Sequence, residues 1–287
     1  MTPGTSLSYR LLARAAFGAL PLVAPFSAKL RDGLAGRRAG GRTLRDWGAA
    51  HRDRARPLVW FHAPSVGEGL QARAILELLR ARHPEWQIAF THFSPSAEAS
   101  AATQPAEVNA YLPADLPAHV EAALDALAPS ALGFVKLDVW PELATRAAAR
   151  GIPVLLLAGT VSPVSRRTGW PARALTRPAY ESITRAGAIA EDDARRLVQL
   201  GVNRDRITIT GDPRFDSVAS MVASAAEEEP LLRRTMHRTL VAGSTWGGDD
   251  EVLLDAYAIV RSQHPDARLV IAPHEPLVFV VDLLAVE

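Results

Sequence analysis

"PLVWFHAPSVGEGLQARAILELLRARHPEWQIAFTHF" (residues 57–93) decides the architecture of this chain. The run "PLVWFH" (57–62) is apolar up to His62 and reads as a strand. A small-residue turn follows. A helical pattern then covers 69–83, with Leu70, Ala74, Ile75, Leu78 and Leu79 on one face. "WQIAFTHF" (86–93) is the next apolar run. A strand, a helix and a second strand in this order form the repeating unit of a parallel sheet.

The alternation continues outward from this stretch. A short helix is expected near 96–102, a strand at "EVNAYL" (107–112), a helix over 116–127 and a strand at "ALGFVKL" (131–137). Next come a helix over about 140–150 and the buried-type strand "IPVLLLAG" (152–159). "AGAIA" (186–190) and "ITITG" (207–211) flank a helix over 191–200, with Gly201 as its stop signal. Near-continuous apolar strands between helices imply a doubly wound α/β sheet. Residues 217–236 lack strand character and read as a helical connection, and 238–276 restart the strand–glycine turn–helix–strand pattern. The expected organisation is an arm over 1–46, a first domain over 47–212, a linker over 213–236 and the start of a second domain over 237–287. Two strands are too few for a parallel domain, so the second is expected to be incomplete.

The chain has 287 residues, 48% of them hydrophobic and 22% charged, enough for two domains. It has no cysteine, which excludes disulfides and thiolate metal sites. Its eight histidines are scattered without metal-ligand spacing, and no metal or cofactor is expected. The net charge of +1 hides a strong asymmetry: residues 1–56 carry +8 and the remainder −7. Such a basic arm suits an anionic partner, phospholipid or nucleic acid. The apolar stretch "AAFGALPLVAPFSA" (15–28), set between Arg14 and Lys29, favours lipid. Fourteen residues are short for a span, which needs about 20. An interfacial anchor, a cleaved signal and an ordinary packed helix all remain open.

Ligands of doubly wound folds bind where strand ends enter loops. Three such ends carry chemistry. In "HAPSVGEG", Ser65 and Glu68 have the spacing of a helix capping box, yet Glu68 also has the place of a general base. In "VKLDVWPEL" (135–143), Lys136 and Asp138 end a strand, where an ion pair is the plain structural reading. Lys136 is one of only two lysines in the chain. In "AGSTWGGDDE" (242–251), Gly243, Ser244 and Thr245 precede a helix and form either an anion cradle or an ordinary cap.

Taken in order, these stretches resemble the 3-deoxy-D-manno-octulosonic acid (Kdo) transferases of lipopolysaccharide synthesis. "YLPADLP" (111–117), "GIPVLLLAGTVSPVSRR" (151–167), "AIAEDDARRLVQLGV" (188–202), "ITGDPRFDS" (209–217) and "APHEP" (272–276) join the series. The resemblance implies a GT-B fold of two Rossmann-like domains and inverting transfer of Kdo from CMP-Kdo to a lipid A precursor. It further implies the cytoplasmic face of the inner membrane of a Gram-negative-type bacterium, and no nucleic-acid partner. It makes Glu68 the catalytic base and Asp138 the second acid of the "E-T-E-x-W-P" motif, with Ser65 and Lys136 on the acceptor side. Arg214, Gly243, Ser244, Thr245, Pro273 and His274 fall to the donor nucleotide. The chain departs from the family pattern at Lys136, which replaces the first acid, and at Trp246, which replaces a histidine. An arginine is absent before His274. Another GT-B nucleotide-sugar transferase and an inactive membrane-associated fragment are the rival readings.

Overall fold

The computed structural model describes residues 5–224 and 238–274. Residues 225–236 of the expected linker, and the end of "APHEP", lie outside the described residues. The chain divides into two compact units, Met1–Ala223 and Ser224–Glu287.

Two helices open the first unit, α1 (Leu7–Val23) and α2 (Ala28–His51). The alternation then runs β1 (Leu58–His62), α3 (Val66–Arg82), β2 (Gln87–His92), α4 (Glu98–Ala102), β3 (Val108–Tyr111) and α5 (Pro117–Leu127). It continues with β4 (Ala131–Val135), α6 (Pro141–Ala149), β5 (Val154–Gly159), α7 (Ala172–Glu181), β6 (Arg185–Ala188), α8 (Glu191–Leu200), β7 (Ile207–Ile209) and α9 (Arg214–Ser224). The seven strands form one parallel sheet in the order β3-β2-β1-β4-β5-β6-β7. Every residue of β1 and β2 is buried, as the uninterrupted apolar runs require of central strands covered on both faces. Two apolar layers flank the sheet. One gathers Trp60, Phe134, Leu124 and Leu143, and the other Phe61, Ile88, Phe90 and Leu76. The strand order reverses direction between β1 and β4, and that switch point is where such folds open a crevice.

Three expectations need correction. The arm does not stop at residue 46: α2 runs through that position and packs against β3 and α5, with Leu44 fully buried. Glycines permit this approach. A Cβ on Gly48 would lie 2.6 Å from the Ala126 carbonyl oxygen, and one on Gly40 would overlap the carbonyl of Tyr111. The buried residues of α3 are Gly69, Gln71, Ala72 and Leu76, with Ile75 and Leu79 of the expected face packed partly buried against the core, whereas Leu70 and Leu78 point outward. Small residues let this helix close onto the sheet, so bulk alone locates only part of its inner face. Finally, α7 was not anticipated, because Pro171 and Pro178 break the helical pattern there.

The second unit, as described, contains β8 (Thr239–Thr245), α10 (Gly247–Gln263) and β9 (Arg268–Pro273). β8 and β9 pair in parallel, so the restart of the alternation is a βαβ unit.

Candidate active site at the β1/β4 switch point

Four side chains named from the sequence meet at the carboxyl ends of β1 and β4. Ser65 is the N-cap residue of α3, but its side chain makes no capping bond to the backbone. It donates instead to the Glu68 carboxylate. The second Glu68 oxygen accepts from Lys136 Nζ at 2.8 Å. The capping-box geometry is therefore absent, and the carboxylate is committed across the crevice. Its side chain is 12% exposed and that of Lys136 45%. Lys136 projects from a left-handed backbone, φ 68°, at the point where β4 ends. A lysine in that region costs about 1–2 kcal/mol, strain of the kind that gathers at functional sites.

Asp138 is held by a second set of contacts that the sequence did not announce. Trp140 Nε1 donates to its Oδ2 at 3.0 Å, and His62 Nε2 lies 3.4 Å from the same oxygen. Arg167 Nη2 donates to Oδ1 at 3.2 Å, and its Nη1 donates to the Leu137 carbonyl oxygen. Burial by itself would raise the Asp138 carboxyl. The hydrogen bond and charge of His62, with Arg167, outweigh it and hold the group below the ordinary carboxylate range. His62 is fully buried, with Nδ1 3.1 Å from the Thr91 carbonyl oxygen. The roles of His62 and Arg167 are not legible in the sequence. The position of His62 at the end of an apolar strand was the available signal; for Arg167, thirty residues downstream of Leu137, there was none.

The residues expected on the donor side fall in both units. Arg214 begins α9 in the first unit and pairs with Asp212 at 2.5 Å. Asp212 also accepts from Gln71 of α3 at 3.2 Å, one helical turn beyond Glu68. The Arg214 hydrogen bonds depress Asp212 to about 2, and most of the Arg214 side chain stays exposed. In the second unit, Gly243, Ser244 and Thr245 end β8, and Thr245 is in register with Pro273. Ser244 Oγ lies 2.8 Å from His274 Nδ1, and Trp246 stacks on the His274 ring at 4.6 Å. The Thr245 hydroxyl is buried and, among the described residues, has no partner. Ser244 also has a left-handed backbone, φ 60°. The ends of the two strands thus present hydroxyls, a ring nitrogen and a small-residue turn together. No group of three or more His, Asp and Glu side chains suited to a metal occurs among the described residues.

The fold and these sites define the class: a GT-B protein with a doubly wound first domain and its crevice at the β1/β4 switch. Solved structures agree on the fold. The UDP-GlcNAc 2-epimerase from Neisseria meningitidis matches with a TM-score of 0.53 at 12% identity, over 75% of this chain and 64% of that one. The UDP-GlcNAc 2-epimerase from Methanocaldococcus jannaschii matches with a TM-score of 0.53 at 11% identity, over 79% and 76%. The family follows from sequence. The family model for 3-deoxy-D-manno-octulosonic-acid transferase (kdotransferase) matches residues 41–217, and the chain belongs to that family. The 3-deoxy-D-manno-octulosonic acid transferase of Haemophilus influenzae is 26% identical over 241 residues, 80% of this chain and 55% of that protein. The one from Bordetella pertussis is 30% identical over 227 residues, 76% and 52% respectively. The chain thus spans about half the length of the curated relatives it matches.

Proposed function

We propose that this chain carries the acceptor domain and donor-side residues of a glycosyltransferase that moves Kdo from CMP-Kdo to a lipid A precursor. The Glu68 carboxylate carries the reading: it stands at the sheet's switch point and is not used as a helix cap. In the proposed reaction the acceptor hydroxyl oxygen bonds to the anomeric carbon of Kdo while its proton passes to Glu68. The bond from that carbon to the phosphate oxygen breaks, CMP leaves as an anion, and the anomeric configuration inverts. Lys136 and Ser65 keep the base aimed. Asp138 is held below the ordinary carboxylate range by His62 and Arg167, which suits it to fixing His62, Trp140 and Arg167 rather than to taking a proton.

The leaving phosphate needs fixed donors where charge develops. In the second unit Ser244, Thr245 and His274, with Gly243 and Pro273 at the strand ends, have the chemistry for that task, and the unpartnered Thr245 hydroxyl supports it; Arg214 of the first unit has by itself the charge for the same role. The basic, apolar N-terminal helices suit an enzyme whose acceptor lies in a membrane, at the cytoplasmic face of the inner membrane.

Incubation with CMP-Kdo and a lipid A precursor, followed by mass spectrometry of the lipid, tests the reading. The expected product is the acceptor carrying Kdo, with free CMP released and no product from other nucleotide sugars. Equal or better turnover with a UDP-sugar would replace this assignment by another GT-B transferase.

A further inference from the structure

Beside the first helices lies a groove of about 500 Å³ that the transfer chemistry does not use. α1, α2 and the loop between β3 and α5 enclose it. Residues 34, 37, 38, 41, 42 and 45 of α2 line it, spacings of three and four that place them on one helical face. Five of its side chains are guanidiniums, from Arg14, Arg37, Arg38, Arg42 and Arg45, and His119 completes the rim. No carboxylate lines it.

Elsewhere on the first unit Arg146 and Arg150 reach Glu121, and Arg196 reaches Asp192. The five groove arginines form no ion pair or hydrogen bond among the described residues. Arg37 is the most demanding of them. It is half-buried, its Nε is orphaned, and its guanidinium lies 3.8 Å above the Phe93 ring. Burial pushes its guanidinium below the ordinary arginine value. Arg14, Arg38, Arg42 and Arg45 are exposed to solvent around it, so the cluster is free to take an anion by charge-assisted hydrogen bonds, and the half-buried Arg37 gains most from one. Phe17 and Leu34 supply an apolar wall. Next to the groove, α1 turns apolar residues to the outside: Leu7, Leu11, Leu12 and Leu22 are each more than half exposed. Its polar face points inward instead, with Tyr9 on Asp115 at 2.7 Å and Arg10 on Glu142 at 3.0 Å.

We infer that this groove is a binding site for the phosphomonoester headgroup of a bilayer amphiphile, with the guanidiniums on the phosphate and the Phe17–Leu34 wall against the first carbons. The inference rests on the reading that the N-terminal helices meet an anionic membrane, and it deepens that reading from attraction to recognition. A dianionic monoester matches the cluster better than a monoanionic diester, because guanidinium forks can take two oxygens at once. Glycine leaves the room. A Cβ at Gly41 meets nothing closer than 3.8 Å and one at Gly18 nothing within 4 Å, so larger residues there enter the groove without disturbing the fold.

The test uses the whole chain with phosphatidylcholine vesicles containing either phosphatidic acid, a monoester, or phosphatidylglycerol, a diester, matched for surface potential. Wild type is expected to bind the monoester vesicles at least tenfold more tightly. Arg38→Ala/Arg42→Ala should abolish that preference, and so should Gly41→Leu, which fills the groove without altering charge. Gly18→Leu provides the same test from α1, should Gly41→Leu fail to fold by circular dichroism. Millimolar inorganic phosphate should leave vesicle binding within twofold of its starting value. Equal binding of both vesicles by wild type, with Gly41→Leu and Gly18→Leu unchanged, overturns the groove and leaves only diffuse attraction. Release by inorganic phosphate overturns the lipid as occupant. Wild type that binds neither vesicle overturns the membrane reading itself.

Discussion

At the scale of single residues, the site turns on a carboxylate with two claims on it. Gln can replace Glu in a capping box, and the structure shows that Glu68 makes no such cap. The exposed ammonium of Lys136 limits what the ion pair adds to stability to a few tenths of a kcal/mol. Glu68→Gln is therefore expected to keep the melting temperature while transfer of Kdo falls by about 10²–10⁴-fold, the usual worth of a general base. A folded variant with near-normal product formation would return Glu68 to a structural role. Lys136 supplies a second expectation. Its left-handed backbone is free for glycine and strained for alanine, so Lys136→Gly should unfold about 1–2 kcal/mol later than Lys136→Ala in urea. Equal stabilities would mean that the strain is not held there in solution. The sequence displayed Glu68, Lys136 and Asp138 because each stands within three residues of a strand end or helix start. It did not display the cluster on Asp138. Arg167 reaches back from beyond β5, and nothing in local pattern encodes a contact across thirty residues. His62 was visible, but its burial against Thr91 depends on β1–β2 register, which only the folded sheet fixes.

Among the elements, each of the seven expected strands of the first unit is present, because parallel strands covered on both faces write unbroken apolar runs into the sequence. What was not legible follows from small residues and prolines. The glycines of α2 hide a packed helix inside what reads as a basic tail, and the prolines of α7 hide a helix altogether. α1 is likewise tied down by buried groups: Asp115 accepts from Tyr9 and from the backbone N–H groups of Glu142 and Leu143. Complete burial raises Asp115 from 3.8 to about 6, against the pull of those donors. A carboxyl raised in the folded state holds its proton more tightly there, so its contribution is full below pH 4 and is lost as pH rises through 6. That is a change of roughly 3 kcal/mol. His92 opposes it over the same interval. Burial lowers its ring from 6.5 to about 4, so the folded state resists the proton and gains stability as pH rises from 4 to 6.5. The two slopes offset each other in the native chain. Asp115→Asn should therefore gain stability steadily between pH 4 and 6.5, whereas His92→Leu should lose it. Urea midpoints across that range decide the matter, and parallel profiles in the two variants would count against both assignments.

For the whole molecule, the proposed membrane contact draws on two separable features, the charge asymmetry and the N-terminal helices. Residues 1–56 carry +8 against −7 on the rest, so on the proposed reading an anionic bilayer attracts the N-terminal segment. Electrostatics of this kind is screened within about 10 Å at 0.1 M salt and about 3 Å at 1 M. Apolar insertion is not screened. Residues Leu7–Phe26 form, among the described residues, a segment long and apolar enough to cross a membrane by length and composition, longer than the fourteen-residue stretch suggested. Two terms should therefore separate with salt. Wild type is expected to bind anionic vesicles in dilute buffer and to retain part of that binding at 1 M salt. Leu11 and Leu12, each 55% exposed, can be changed with little cost to the fold. Leu11→Ser/Leu12→Ser should bind in dilute buffer through the arginines and be released at 1 M salt, with an unchanged melting temperature. Deleting residues 1–26 makes a poorer probe, because it strips Tyr9 from Asp115 and Arg10 from the fully buried Glu142 and unfolds part of what it sets out to test. Flotation of the two forms across a salt series reads the result. Salt-resistant binding that survives both serines would place the apolar contact elsewhere, and complete release of wild type at 1 M salt would reduce α1 to a packed helix with an exposed face.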